Sequence, residues 1–197
     1  QVAEAQIPLI LISSSFENLE KTLQSVKDSR PLVCLEENNV EKQAWLQEKY
    51  GVPVVLNGDS PEELAKNSSA ALENKIKDIV LNLKNLSASD MVEKLTYIRR
   101  SAIEDKFKPL GFPVITFQKD FENLDPIEQG IISSVLICKY SNIVVLDDFN
   151  EAIIYALITL RQNIFTDPEK PLQIDPKVYP LEEADQDSPV IVTTNFA

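Results

Sequence analysis

Of the side chains that do acid–base and nucleophilic work near neutral pH, histidine is missing altogether from the 197 residues. Ser/His and Cys/His dyads, His-ligated zinc and histidine proton shuttles therefore cannot be built from this chain alone. Carboxylates, arginines and a few polar clusters remain. Asp147-Asp148 follows an apolar run, where an α/β barrel sets a metal or a general base. With Phe149-Asn150-Glu151 and a helical stretch next, the pair reads more simply as that helix's N-terminal cap. Arg99 and Arg100, with Glu104 and Asp105, could order a βα loop over a ligand. Arg100 and Glu104 are also spaced i,i+4, an ion pair worth about 0.3–0.5 kcal/mol, and arginine forks fix loops as readily as they bind anions. Arg161-Gln162-Asn163 leads to the turn signal Asp167-Pro168 and reads as a rigid connection, with Asn163 capping backbone groups. Thr193-Thr194-Asn195-Phe196 ends an apolar run with small polar side chains and one aromatic, equally suited to touching a ligand and to core packing. Glu36-Glu37 and Asp185 to Asp187 read as solvated loop charge.

Cys34 and Cys138 lie far apart, each in an apolar stretch where a thiol packs as a small buried hydrophobe. A four-iron cluster needs four thiolates in close spacing, so these two cysteines hold none. Acidic side chains number 31 against 19 basic, and the net charge of −12 repels phosphate backbones and anionic lipid. No nucleic-acid partner is expected. No apolar run approaches the roughly 20 residues that cross a bilayer, and Gln1 to Gln6 carry no secretory pattern. The expectation is a cytoplasmic protein with no membrane partner. At 44% hydrophobic and 25% charged, the composition is that of an ordinary globular chain with one core.

The elements that position these groups follow a beat of strand and helix. Near-continuous apolar runs occur at Ile7 to Ile12, Arg30 to Leu35, Val52 to Leu56, Asp78 to Leu83, Phe112 to Phe117, Asn142 to Leu146 and Pro189 to Thr193. Runs of this kind are strands buried on both faces of a parallel sheet, and proline is tolerable at their first residue. Leu19, Leu23 and Val26 fit one helix, and Val40, Ala44, Trp45 and Tyr50 a second, closed by Gly51. Ser60-Pro61-Glu62-Glu63 is a third helix start, Asp90 to Arg100 and Pro126 to Tyr140 give two more, and Phe149 to Asn163 is the longest. The class is α/β with right-handed crossovers.

Barrel or open doubly wound sheet is decided by the strand ends. Only four glycines are present, and no G-x-G-x-x-G or G-x-x-x-x-G-K follows a strand. Polar residues stand at strand ends instead: Ser13 to Ser15, Glu36, Glu37, Asn57, Asn82, Gln118, Asp147 and Asp148. This favours a TIM-barrel-like fold, (β/α)8 in type. About six strands precede the long last helix, whereas a closed barrel takes eight strands and about 250 residues. An incomplete barrel leaves two sheet edges, which predicts pairing, swapping or cover by a second chain. The first residue is Gln1, and the run Val190 to Ala197 stops before any turn, so a piece of a larger protein is expected.

Three segments carry a family resemblance: Tyr97 to Asp105 (YIRRSAIED) with Leu110-Gly111-Phe112-Pro113, Arg161 to Pro168 (RQNIFTDP) with Lys170-Pro171, and Ser188 to Ala197 (SPVIVTTNFA). In order and spacing the chain resembles the large, or gamma, subunit of the corrinoid/iron–sulfur protein of the acetyl-CoA decarbonylase/synthase system. The resemblance implies an N-terminal four-iron cluster domain, a central TIM barrel and a C-terminal corrinoid-binding domain in the whole family member. It places residues 1–187 in a partial barrel and 188–197 at the start of a truncated corrinoid domain. Thr193, Thr194, Asn195 and Phe196 then lie in the corrinoid vicinity, and Arg99, Arg100, Glu104, Arg161, Gln162 and Asn163 are loop or interface candidates.

What the resemblance implies for function is methyl transfer in the reductive acetyl-CoA (Wood–Ljungdahl) pathway. The corrinoid (cobalamin) accepts a methyl group from a methyl-pterin through a pterin-dependent methyltransferase and passes it to acetyl-CoA synthase. The barrel packs on the small subunit of the same protein. The cysteine motif for the cluster and most of the corrinoid domain have no counterpart here, so this chain alone is expected to hold neither cofactor. The reading is a non-catalytic carrier barrel acting as scaffold and subunit-docking domain. The alternatives are a stand-alone barrel binding a pterin or another small molecule, or a degenerate scaffold without chemistry. The surface around Asn57, Asn82 and Gln118 discriminates: polar and concave for a ligand, apolar for a partner.

Overall fold

The computed structural model describes residues 7–121, 124–164, 178 and 185. The elements run β1 (Ile10–Ser13), α1 (Phe16–Val26), β2 (Leu32–Leu35), α2 (Val40–Tyr50), β3 (Val54–Gly58), α3 (Pro61–Glu73), β4 (Ile79–Leu83), α4 (Ala88–Ile103), β5 (Val114–Phe117), α5 (Pro126–Cys138), β6 (Ile143–Val145) and α6 (Glu151–Ile164). Each apolar run through Asn142 to Leu146 overlaps a strand, β1 and β3 running on to Ser13 and Gly58. The run Pro189 to Thr193, the turn Asp167-Pro168 and the boundary at 187 lie outside the described residues.

Pro31, Pro53 and Pro113 each stand immediately before a strand rather than in it. A proline there supplies a carbonyl and no N–H: Val33 N donates to Pro53 O at 2.9 Å and Leu81 N to Pro113 O at 2.8 Å. The helix signals act as read. Ser60 Oγ accepts from Glu63 N with Pro61 at the first helical position, and Gly51 closes α2 at φ 65°. Two readings are corrected. Among the described residues the longest helix is α4, of 16 residues against 14 for α6, because Ser87 caps it ahead of Asp90. The cap of α6 is Asn150, whose Oδ1 accepts from Ile153 N at 3.3 Å, leaving Asp147 and Asp148 in the preceding loop.

All six strands are parallel and in sequential order, β1-β2-β3-β4-β5-β6. A doubly wound sheet reverses its order at a switch point; sequential order is that of a TIM-type barrel. Among the described residues no pairing joins β6 to β1, and each of these edge strands has one neighbour. Its outer face packs Val33, Leu35, Val54, Leu56, Leu81 and Leu83 under the helices. Its inner face gathers Leu32, Cys34, Val55, Val80, Ile115 and Phe117, with Ile10, Ile143 and Val145 at the rims. Strands in a flat sheet stand about 4.8 Å apart, so groups on β2 and β4 would be about 10 Å from each other. Here Lys84, just after β4, donates to Glu36 O, just after β2, at 3.1 Å. Long side chains and a curled sheet together close that span.

Gly58 ends β3 where the chain turns into α3. A Cβ there would meet Leu64 Cγ at 2.9 Å, and Leu64 is fully buried in the core. Gly58→Ala is expected to destabilise the chain by about 1–3 kcal/mol, read as a lower urea midpoint at unchanged slope.

Candidate functional site at the strand carboxyl ends

The polar residues expected at strand ends are there, and most of them hold the scaffold together. Asn57 on β3 and Asn82 on β4 are buried side by side in register. Asn57 Nδ2 donates to Leu35 O at 2.7 Å, and its Oδ1 accepts from Asn82 Nδ2 at 2.9 Å. Turned the other way, the Asn82 amide would reach the Leu83 and Ile115 carbonyls but set its oxygen against Asn57 Oδ1. With the Asn57 amide nitrogen committed to Leu35 O, the first orientation joins the two side chains donor to acceptor, at the cost of setting Asn82 Oδ1 against the Leu83 and Ile115 carbonyl oxygens. Asn38 adds a second bridge: its Oδ1 accepts from Asn57 N at 2.8 Å and its Nδ2 donates to Asn57 O. Asn67 on α3 also donates to Asn57 O, at 3.0 Å. Gln118 works likewise further round, donating to Ser133 Oγ at 3.2 Å and accepting from Asp147 N at 3.1 Å.

Above this amide layer lies a cleft of about 300 Å³, lined by Ile12, Cys34, Glu36, Asn82, Lys84, Asn85, Phe117, Lys119 and Asp120. Its walls come from β1, β2, β4 and β5 and the turns that follow them. Lys84 spans the mouth to Glu36 O, and Lys119 Nζ stands 5.5 Å from the Phe117 ring centre. In a chain of net charge −12, two ammonium groups thus converge at the strand ends. Asp120 faces them. Its Oδ2 is buried without a hydrogen-bond partner. Burial pushes its carboxyl above the ordinary value of 3.8, with Asp147 adding to the rise and Lys119 and Lys84 opposing it. Cys34, at the floor, is buried, and burial pushes its thiol up to about 11.

The other sequence candidates are elsewhere. Arg99, Arg100 and Glu104 are exposed at the end of α4, leading into β5 and so at the opposite end of the sheet from the cleft. They cannot cover a βα loop, because α4 runs back from the strand carboxyl ends. Arg100 and Glu104 pair at 3.1 Å, as their spacing predicts. Arg161 donates to Asn142 O at 3.2 Å, tying α6 to the start of β6, with Gln162 and Asn163 exposed beside it. Thr193, Thr194, Asn195 and Phe196 lie outside the described residues. Cys138 is exposed on α5, against the expectation of two buried thiols, because α5 turns that end outward. Lys84, Lys119 and Asp120 are site residues that sequence reasoning misses, although each closely follows a strand's last apolar residue, where barrel loops carry function.

Sequential parallel strands, outer helices and a polar cleft at the strand carboxyl ends define a TIM-barrel-like α/β protein. Solved structures agree on the fold. Dihydropteroate synthase from Thermus thermophilus, in complex with 4-aminobenzoate, superposes with a TM-score of 0.56 at 17% identity, covering 81% of this chain and 75% of that one. Deoxyribose phosphate aldolase from Aeropyrum pernix gives 0.50 at 14% identity, over 82% and 74%. The sequence goes further: the chain belongs to the family described as CO dehydrogenase/acetyl-CoA synthase delta subunit, matched over residues 1–197. Its relatives include the acetyl-CoA decarbonylase/synthase complex subunit gamma of Methanothermobacter thermautotrophicus, 30% identical and covering 100% of this chain and 45% of the relative. The corrinoid/iron-sulfur protein large subunit of Moorella thermoacetica is also 30% identical, over 99% and 43%. The chain thus spans less than half the length of these relatives.

The four-iron cluster that one of these names implies does not fit the cysteines of this chain. The chain has two cysteines where a four-iron cluster needs four, one on β2 and one on α5. Among the described residues no group of three His, Cys, Asp or Glu could hold a metal ion. A cleft of about 300 Å³ is at the small end for a drug-sized ligand, and a corrinoid macrocycle is larger than that.

Two measurements check the site's chemistry. A thiol reagent at pH 8 is expected to label Cys138 quickly and Cys34 only after unfolding, followed by intact mass. Because the Asp120 carboxyl is raised in the fold, its ionisation opposes folding fully above the folded value and not at all below 3.8. Asp120→Asn is therefore expected to raise the urea midpoint at pH 7, with the gain fading as pH falls through the folded value toward 3.8.

Proposed function

We propose that this chain is the barrel portion of a corrinoid/iron–sulfur methyl-carrier protein, serving as scaffold and as the docking surface for that protein's small subunit. The observation that carries the docking role is an apolar surface on adjacent outer helices. Ile127, Ile131 and Val135 recur every four residues on α5 and are exposed, Ile127 by 73% and Ile131 by 58%, while Tyr155 on α6 is exposed by 77%. Ile158 and Phe149 add to it. The two helices touch where Gly130 faces Ile153, so their exposed side chains belong to one side of the barrel. Exposed apolar surface of this extent marks an interface, and a second barrel offers the matching helical face.

The whole protein would carry a methyl group from a methyl-pterin, through a pterin-dependent methyltransferase, to acetyl-CoA synthase. That chemistry belongs to the corrinoid-holding part and the partner enzymes; the residues of this chain supply rigidity and contact. A second reading, a barrel that binds a pterin or another small molecule itself, is supported by the polar, concave cleft at Asn82 and Asp120.

Co-expressed with the small subunit, the chain is expected to elute as a heterodimer in size-exclusion chromatography with light scattering. Ile131→Asp, at an exposed position, should weaken association by at least about tenfold and leave the circular dichroism spectrum unchanged. No heterodimer with the native chain overturns the subunit role, and undiminished association of the variant overturns this face.

A further inference from the structure

We propose that the strand-end cleft is a binding site for a small hydroxycarboxylate. The inference rests on the second reading above and narrows it to a ligand class. The cleft offers two kinds of unfilled demand. Lys84 and Lys119 bring two ammonium groups to a confined space, and one of them, Lys84, is held in place by its bond to Glu36 O at 3.1 Å. Their natural complement is an anion with more than one oxygen. Asp120, opposite, accepts no hydrogen bond among the described residues, and its Oδ2 is buried without a partner. A half-buried carboxylate without donors is costly, and it asks for an O–H or N–H.

One small molecule meets both demands when it carries a carboxylate for the lysines and a donor for Asp120 at short range. A hydroxyl suits better than an ammonium, because it meets Asp120 as a neutral donor where the two lysines are already balanced by the Glu36 and Asp120 carboxylates on the lining. Size and lining argue in the same direction. The volume of about 300 Å³ includes one aromatic ring, Phe117, and one aliphatic side chain, Ile12, the rest being amide, charged or thiol groups. A pterin, flat and aromatic on both faces, would find one ring to stack on, Phe117; a compact polar acid finds two ammonium groups for its carboxylate and Asp120 for its hydroxyl. The buried Asn57–Asn82 pair below ties the floor together.

The test uses the 197-residue chain and amide chemical shifts, with L-lactate as probe, propionate as its counterpart without the hydroxyl, and pterin-6-carboxylate as the competing class. Lactate is expected to shift residues around Cys34, Lys84 and Lys119 saturably, with propionate weaker by about tenfold. Lys84→Met and Lys119→Met should each weaken lactate by about tenfold, and Asp120→Asn should bring lactate and propionate to similar affinity. Dispersed amide spectra establish that each variant is folded. Equal binding of lactate and propionate to the native chain overturns the inference, as do lactate shifts away from the cleft. Binding of the pterin without lactate overturns it and leaves the small-molecule reading standing; binding of neither overturns both.

Discussion

The asparagine at the end of β3 is the constraint on which the site depends. Asn57 is 4% exposed, and its side chain and its backbone together meet β2 at Leu35, the β2–α2 loop at Asn38, α3 at Asn67 and β4 at Asn82. A buried amide costs free energy unless its donors and acceptors are met, so contacts from all of these segments are both its requirement and its effect. Strand ends tied in this way cannot slide in register, and an apolar residue of similar size would release the bonds its side chain makes. The same network takes up the carbonyls at the mouth of the sheet, where a parallel ladder runs out of partners.

Curvature follows from where the apolar side chains are. The strands are apolar on both faces, so the sheet must cover its inner face as well as its outer one. Helices cover the outer face. With six strands the inner face covers itself by curling, and the rims at Ile10, Ile143 and Val145 stay partly open. Ile12, on the first strand, and Phe117, on the fifth, come to line one cleft by the same curl. The cleft's chemistry is thus a consequence of core burial: Cys34 and Phe117 belong to the inner core and to the cleft floor at once.

The two cysteines stand on different elements and one is buried with its thiol held protonated, so the groups present are those of a packed barrel with a polar mouth. The outward helices α5 and α6 carry large exposed apolar side chains, Ile127, Ile131, Tyr155 and Ile158 among them. The sheet end near Arg99 and Arg100, by contrast, carries exposed charge pairs of small energetic weight.

The alternation of apolar runs with capped helices was enough to determine six parallel strands, their helices and the α/β class, because burial on both faces and helix capping are local chemistry. Ser60, Pro61 and Gly51 marked boundaries by mechanisms that act within a few residues. Family membership was equally legible, in the motifs at Tyr97 to Asp105 and Arg161 to Pro168. Strand-end position pointed to Asn57, Asn82 and Gln118, but it could not say that they would spend their hydrogen bonds on neighbouring strands. Nor could it separate Asp147 from Asn150 as the cap of α6, since both precede the helix and only the path of the turn selects one. Lys84, Lys119 and Asp120 are ordinary loop residues in sequence, brought together by the pairing of β4 with β5. That gathering was decided by tertiary structure alone, because β4 and β5 bring Lys84 and Lys119 side by side only once they pair in the sheet, and Cys34 on β2 joins them when the sheet curls across β3.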